Sequence, residues 1–197
     1  MNYLLLDLET IGFPSVPKGM KKDFQRLEQF DSARIIQVAC MTVDNKFNEI
    51  STFDSIVKRE GFEIKNVFIH HITNEISDTA GKPIKEVLEE LEKQLDSVGT
   101  IIIHNSDFDY PVLQSECFRL GMRVLINKLS SKKIICSMKL TTNTVKAKNK
   151  QGRLKWPSLS ELYKFATGEE HIHKHNAYSD VADLYTALRS LSKKMII

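Results

Sequence analysis

The chain has 197 residues, 42% hydrophobic and 27% charged, with no Pro/Gly/Ser-rich stretch; these values exclude a disordered polyelectrolyte and predict one folded domain spanning residues 1–197. Its first apolar run, Tyr3 to Leu6, stops at Asp7 and Glu9, which is too short and too charged for a signal peptide or membrane span, so a cytoplasmic protein with no membrane partner is expected. Net charge is only +3, and Cys40, Cys117 and Cys136 lack CxxC spacing, which argues against a disulfide framework or a thiolate zinc site.

Asn2 to Leu6 is a continuous apolar run, as a strand buried on both faces requires. A linker through Pro14, Pro17 and Gly19 follows, and the charged segment Lys21 to Phe30 allows a short helix. Arg34 to Val43 and Lys46 to Lys58 read as antiparallel strands joined by a tight Asp44-Asn45 connection. From Lys82 to Val98, Ile84, Val87, Leu88, Leu91 and Leu95 recur at the spacing of a helix lying on a sheet. Thr100 to Ile103 is a short strand, and Phe108 to Leu120 is a helix with Pro111 in its first turn. Ile134 to Met138 is a fifth strand, after which Thr141 to Trp156 is polar, lysine-rich and expected as a mobile loop. Two helices close the chain: Ser158 to about Thr167, stopped by Gly168, and about Asn176 to Lys194. Three strands followed by alternating helix and strand predict an α/β fold, a mixed five-stranded sheet flanked by helices.

Charge is uneven along the chain. Arg119 to Lys155 contains no acid and many lysines, including Lys139, Lys146, Lys148, Lys150 and Lys155; it is either a solvated basic surface or one that meets phosphates.

Some acids stand where hydrophobes belong. Side chains alternate along a strand, so Asp7 and Glu9 leave one face at the end of the first apolar run. Paired carboxylates there are costly unless they are solvated or share a cation. Asp109 lies one helical turn before Val112 and Leu113, where either a cation site or a helix-end role would suit it, with neighbouring Asp107 the better cap. Asp180 sits between Ala177 and Leu184, within the buried stripe of the last helix. His175 precedes it just outside that helix. His171, His173 and His175 alternate, which also suits a zinc-binding tract, whereas the acids form an all-oxygen set suited to Mg²⁺ or Mn²⁺.

Taken together, Asp7-Leu8-Glu9-Thr10, His104-Asn105-Ser106-Asp107-Phe108-Asp109 and His175-Asn176-Ala177-Tyr178-Ser179-Asp180 resemble the three motifs of the DEDDh exonucleases, a ribonuclease-H-like superfamily. His71-Ile72-Thr73 and Gly81-Lys82-Pro83 also look like that family's connection into a helix. The resemblance implies a single ribonuclease-H-like exonuclease domain that releases nucleoside monophosphates from single-stranded or frayed 3′ ends of nucleic acid, DNA foremost. It implies two divalent cations, Mg²⁺ or Mn²⁺, one held by Asp7, Glu9 and Asp180 and the other by Asp7 with Asp109, and His175 as general base. It implies substrate contacts from Leu8, Thr10 and Asn105, with Ile11 or Phe13 wedged against the last bases. A DNA polymerase is a further partner it allows; RNA trimming and a non-catalytic nucleic-acid-binding module are the alternatives. Nothing in these residues sets the oligomeric state.

Overall fold

The computed structural model describes residues 2–171 and 175–194. Five strands, β1 (Asn2–Thr10), β2 (Ile35–Val43), β3 (Glu49–Ile56), β4 (Val98–Ile103) and β5 (Lys133–Cys136), form a sheet in the order β3-β2-β1-β4-β5. β1 pairs antiparallel with β2, and β2 with β3; β4 runs parallel to β1, and β5 parallel to β4. The apolar opening run therefore lies at the centre of a mixed sheet, with both of its backbone edges bonded.

Eight helices are present among the described residues: α1 (Val67–His70), α2 (Asn74–Ala80), α3 (Ile84–Gln94), α4 (Ser106–Arg119), α5 (Arg123–Ser131), α6 (Ser137–Val145), α7 (Leu159–Thr167) and α8 (Ala177–Lys193). They divide between the two faces of the sheet. Leu4, Leu6 and Leu8 of β1 pack in one core with Leu88 and Leu91 of α3 and Val112 and Leu113 of α4. Leu5 packs in the other with Leu162 of α7 and Val181, Leu184 and Leu188 of α8. Each such leucine, fully buried, contributes on the order of 1.5–3 kcal/mol. Alternation then places Asp7 and Glu9 in the row begun by Leu5, facing α8.

Several local features depart from the sequence expectations, each for an identifiable reason. Lys21 to Phe30 holds only one 3-10 turn, Leu27–Gln29. The buried Gln29 amide accepts the Asp23 N–H (3.1 Å) and donates to the Lys21 carbonyl (3.4 Å), so the segment wraps around one side chain instead of bonding along its own axis. The β2–β3 connection is not the tight Asp44-Asn45 turn. It spans residues 44–48, with Asp44 Oδ1 accepting the Lys46 and Asn48 N–H groups at 2.8 Å and the Phe47 ring stacked on Tyr3 at 5.5 Å. β3 is correspondingly shorter than expected.

α4 begins at Ser106, so Asp107 lies inside the helix and is not its cap, and Pro111 falls in the second turn. Proline has no N–H for the Asp107 carbonyl, and Lys22 Nζ donates to that carbonyl instead, at 2.6 Å. The fifth strand ends at Cys136, and α6 takes up the first part of the expected loop. From Lys148 the chain turns back in a small hairpin, closed by a Lys148–Leu154 bridge and by Lys155 N–H donating to the Ala147 carbonyl at 2.9 Å. All three cysteines are free thiols, and no described helix is long and apolar enough to cross a membrane.

Gly81, which ends α2, supports a close crossing. A Cβ there would lie 2.3 Å from the Ser77 carbonyl oxygen and 2.6 Å from the Lys58 nitrogen, both backbone atoms. Gly81→Ala should therefore lower stability by about 1–3 kcal/mol, as overpacking does. Urea denaturation checks this, and an unchanged midpoint would mean that the backbone parts there at no cost.

Candidate active site

The acid row on β1 is completed from two other elements. On one side α8 is fixed to the sheet by the buried Gln37 of β2, whose Oε1 accepts the Ala177 N–H (3.2 Å) while its Nε2 donates to Asp54 of β3 (2.8 Å). Asn176 caps the helix by accepting the Ser179 N–H. With Ala177 and Val181 fully buried, Asp180 shares their side of α8 and retains only 8% of its surface. Oxygens of Asp7, Glu9 and Asp180 lie within 4.8 Å of one another. A register shift between Glu9 and Thr10 in the β1–β2 pairing marks the point where the strand leaves the cluster.

Asp109 approaches from the first turns of α4, 3% exposed, with the Leu8 backbone N–H as a hydrogen-bond donor to its carboxylate. It stands outside the 4.8 Å trio but within electrostatic reach of Asp7, Glu9 and Asp180. Removal from water is the largest effect on every one of these acids. Burial and then the charges of Asp109, Asp180 and Glu9 hold the Asp7 carboxyl well above the usual range. Burial raises Asp109 as well, against the pull of its own and Leu8's backbone N–H groups. Burial and then Asp180 push Glu9 up to about 7. Burial and then Asp183 push Asp180 up to about 6, although His175 and His171 pull it down. Such a set of oxygen donors fits a hard divalent cation, which would replace the missing water and cancel the repulsion.

A cleft of about 480 Å³ opens over this cluster. It gathers Asp7, Leu8, Glu9, Asn105, Asp109, His175 and Asp180 from three distant parts of the chain. It does not gather Thr10, Ile11 or Phe13. Thr10 Oγ1 donates to the Gly12 carbonyl (2.8 Å), and Ile11 packs against the apolar cluster of Ile36, Ile64 and Ile72. Phe13 is 77% exposed at the rim, its ring edge-on to the cleft-lining Phe108 at 5.5 Å.

The sequence reading did not single out His104, Met138 or Trp156, which also line the cleft. His104 Nδ1 meets Ser137 Oγ at 2.9 Å. An aromatic between a basic stretch and a helix cap was the available signal for Trp156; nothing local marked Met138.

Two members of the alternative histidine tract are described, and they lie in different surroundings. Both ring nitrogens of His171 are engaged between α7 and α8, with Ser160 Oγ (2.8 Å) and Asp183 Oδ2 (2.6 Å), while His175 is at the cleft and His173 lies outside the described residues.

Residues 4–188 match the RNase T family of exonucleases, so the chain belongs to that exonuclease family. Its ribonuclease-H-like fold is shared with solved structures at low sequence identity. Escherichia coli exonuclease I in complex with a dT13 oligonucleotide aligns at TM-score 0.75 and 18% identity, over 98% of this chain and 41% of that one. Exonuclease I from Methylocaldum szegediense aligns at 0.73 and 18%, over 98% and 40%. Exonuclease X in complex with 5′-overhanging duplex DNA aligns at 0.61 and 18%, over 98% and 93%. The chain thus spans well under half the length of the exonuclease I structures. Among curated proteins, none matches the chain by sequence.

The crowded acids tie stability to pH. A carboxyl whose pKa rises on folding stabilises the folded state fully below its unfolded value, 4.5 for Glu9, and that contribution is lost as pH rises through about 7. Metal-free protein should therefore melt at falling temperatures from about pH 5 to about pH 8, and Mg²⁺ or Mn²⁺ should restore most of the loss at the upper end. Thermal melts with and without chelator measure this; a metal-free midpoint that stayed flat across the interval would contradict the crowding.

Proposed function

We propose that residues 1–197 act as a single exonuclease domain that hydrolyses nucleic acid from its 3′ end, releasing nucleoside monophosphates, with DNA as the substrate. The observation that carries this reading is the convergence of Asp7, Glu9 and Asp180 within 4.8 Å, with Asp109 behind them and His175 at the same cleft. DNA is favoured because fold neighbours include exonuclease I with dT13 and dA16 oligonucleotides and exonuclease X with 5′-overhanging duplex DNA.

Asp7, Glu9 and Asp180 would hold one divalent cation, and Asp7 with Asp109 a second. When bound, the cations would neutralise charge developing on the scissile phosphate and make the attacking water more acidic. His175 would take the proton from that water. It stands exposed on the segment before α8, outside the carboxylate row, so its imidazole meets solvent and cleft together. A neutral imidazole accepts a proton near neutral pH far better than an ionised carboxylate of ordinary pKa. Glu9 and the backbone from Leu8 to Thr10 would receive the terminal 3′-hydroxyl, and Asn105 would face the sugar-phosphate from the α4 side. Phe13 would serve as the wedge in preference to Ile11, since Ile11 is committed to the apolar cluster.

Digestion of matched, 5′-labelled DNA and RNA oligonucleotides with Mg²⁺, Mn²⁺ or chelator tests polarity, sugar preference and metal need together. Shortening from the 3′ end is expected only with metal, and faster on DNA. Asp7→Ala should abolish it, whereas His175→Ala should slow it by about 10²–10⁴-fold with Mn²⁺ binding retained in calorimetry. Full activity in Asp7→Ala would reject the assignment.

A further inference from the structure

Trp156 is the only tryptophan in the chain, and it lines the cleft with 52% of its surface exposed. Its backbone is pinned on both sides. Lys155 N–H closes the preceding hairpin on Ala147, and two residues later Ser158 caps α7 in a reciprocal box with Glu161, whose carboxylate also receives Lys155 Nζ at 2.7 Å. A large apolar ring held out from a rigid support lies ready to meet a flat partner with little ordering entropy left to lose.

Lys139 Nζ lies 5.5 Å from the centroid of that ring and is paired with Asp107 at 2.6 Å. Beyond Lys139 a second groove of about 790 Å³ is lined by Lys21, Lys22 and Tyr110 as well as Lys139 itself. Moving away from the acid cluster, the surface thus presents an aromatic face and then the ammonium groups of Lys139, Lys21 and Lys22 gathered around Asp107. The spacing of base and phosphate along a single strand asks for that alternation.

We infer that Trp156 stacks on a base of a single nucleic-acid strand close to its 3′ end, and that Lys139 and the groove beyond it receive the phosphates leading to that base. The inference rests on the exonuclease reading and adds to it the path of the strand. Stacking on a ring face tolerates any base, so the contact supplies affinity and placement without sequence preference.

Because no other tryptophan contributes, fluorescence excited beyond the absorption of the five tyrosines reports on this ring alone. Wild-type protein with Mg²⁺ is titrated with a hydrolysis-resistant, phosphorothioate-linked thymidine strand of about eight nucleotides, and with the same strand carrying abasic sugars at its 3′-terminal positions. Emission should fall by about half with the first strand and hardly change with the second. Binding is followed in parallel by anisotropy of a 5′ label. Trp156→Ala should weaken the base-bearing strand roughly fivefold to a hundredfold and leave the abasic one unaffected, with Trp156→Phe recovering most of the loss. Lys139→Ala should weaken both strands alike and lower the salt dependence. Equal quenching by both strands, or equal weakening of both by Trp156→Ala, would overturn the inference. Unchanged emission alongside normal digestion of a native oligonucleotide would overturn it and leave the exonuclease reading standing. Base-dependent quenching without any digestion would do the reverse.

Discussion

Four carboxylates gathered at the end of one buried strand repel one another in surroundings that screen poorly, and the arrangement of the molecule follows from holding them there. Asp7 is the centre of this conflict, since its carboxyl is raised by burial and by each of the other three acids. The strand that carries it is the best-braced element available, bonded on one edge to β2 and on the other to β4. Asp180 is held from one face by α8, which Gln37 ties to the sheet, and Asp109 from α4 through the Leu8 N–H. Protonation relieves the repulsion at low pH, and divalent ions would relieve it at higher pH. A fold that keeps such a set together is suited to hold a cation there.

The position of the cleft follows from topology. β1 and β4 run parallel, and the chain leaves β4 through His104 and Asn105 directly into α4. A crevice outside the carboxyl ends of parallel strands is where open α/β sheets expose backbone and loops to a ligand. Here the antiparallel pair β1–β2 meets the parallel pair β1–β4 at the same strand, so loops from both arrangements reach one spot. Residues from positions 7–9, 104–109 and 175–180 therefore share a cleft despite their separation along the chain.

What the sequence disclosed depended on whether a signal was local. An acid inside an apolar period, as at Asp7 or Asp180, is visible without knowing its neighbours, because its misfit is with its own strand or helix. α3 and α8 were legible for the same reason, their leucines repeating at helical spacing. α6 was not, since its buried positions are Ser137 and Thr141, whose hydroxyls bond inward and leave no apolar rhythm to read. α5 did carry a rhythm in Leu125 and Leu129, obscured by the lysines around it. Gln37 is a polar residue inside an entirely buried strand, yet its two partners, Asp54 and the first N–H of α8, come from elsewhere in the chain. The fate of Lys21 to Phe30 turned on one buried glutamine, and that of Ile11 on a cluster assembled from β2 and the segment around Ile64 and Ile72.

The basic stretch shows the same limit in electrostatic form. Read along the chain it contains no acid, but in space several of its cations meet acids from outside it: Arg119 with Asp31, Lys128 with Glu92 and Asp96, Lys139 with Asp107, Lys155 with Glu161. Surface pairs of this kind add little stability and are readily exchanged for another anion. Lys146, Lys148, Lys150 and Arg153 remain exposed around the hairpin that precedes Trp156. Charge on this rim and charge in the acid cluster therefore act over different ranges. Exposed ammonium groups attract a polyanion from a distance and lose that pull as salt rises, whereas buried carboxylates act only on what has entered the cleft. In the proposed reading a strand would be captured by the first without being cut, and cutting would depend on cations that the second would hold close.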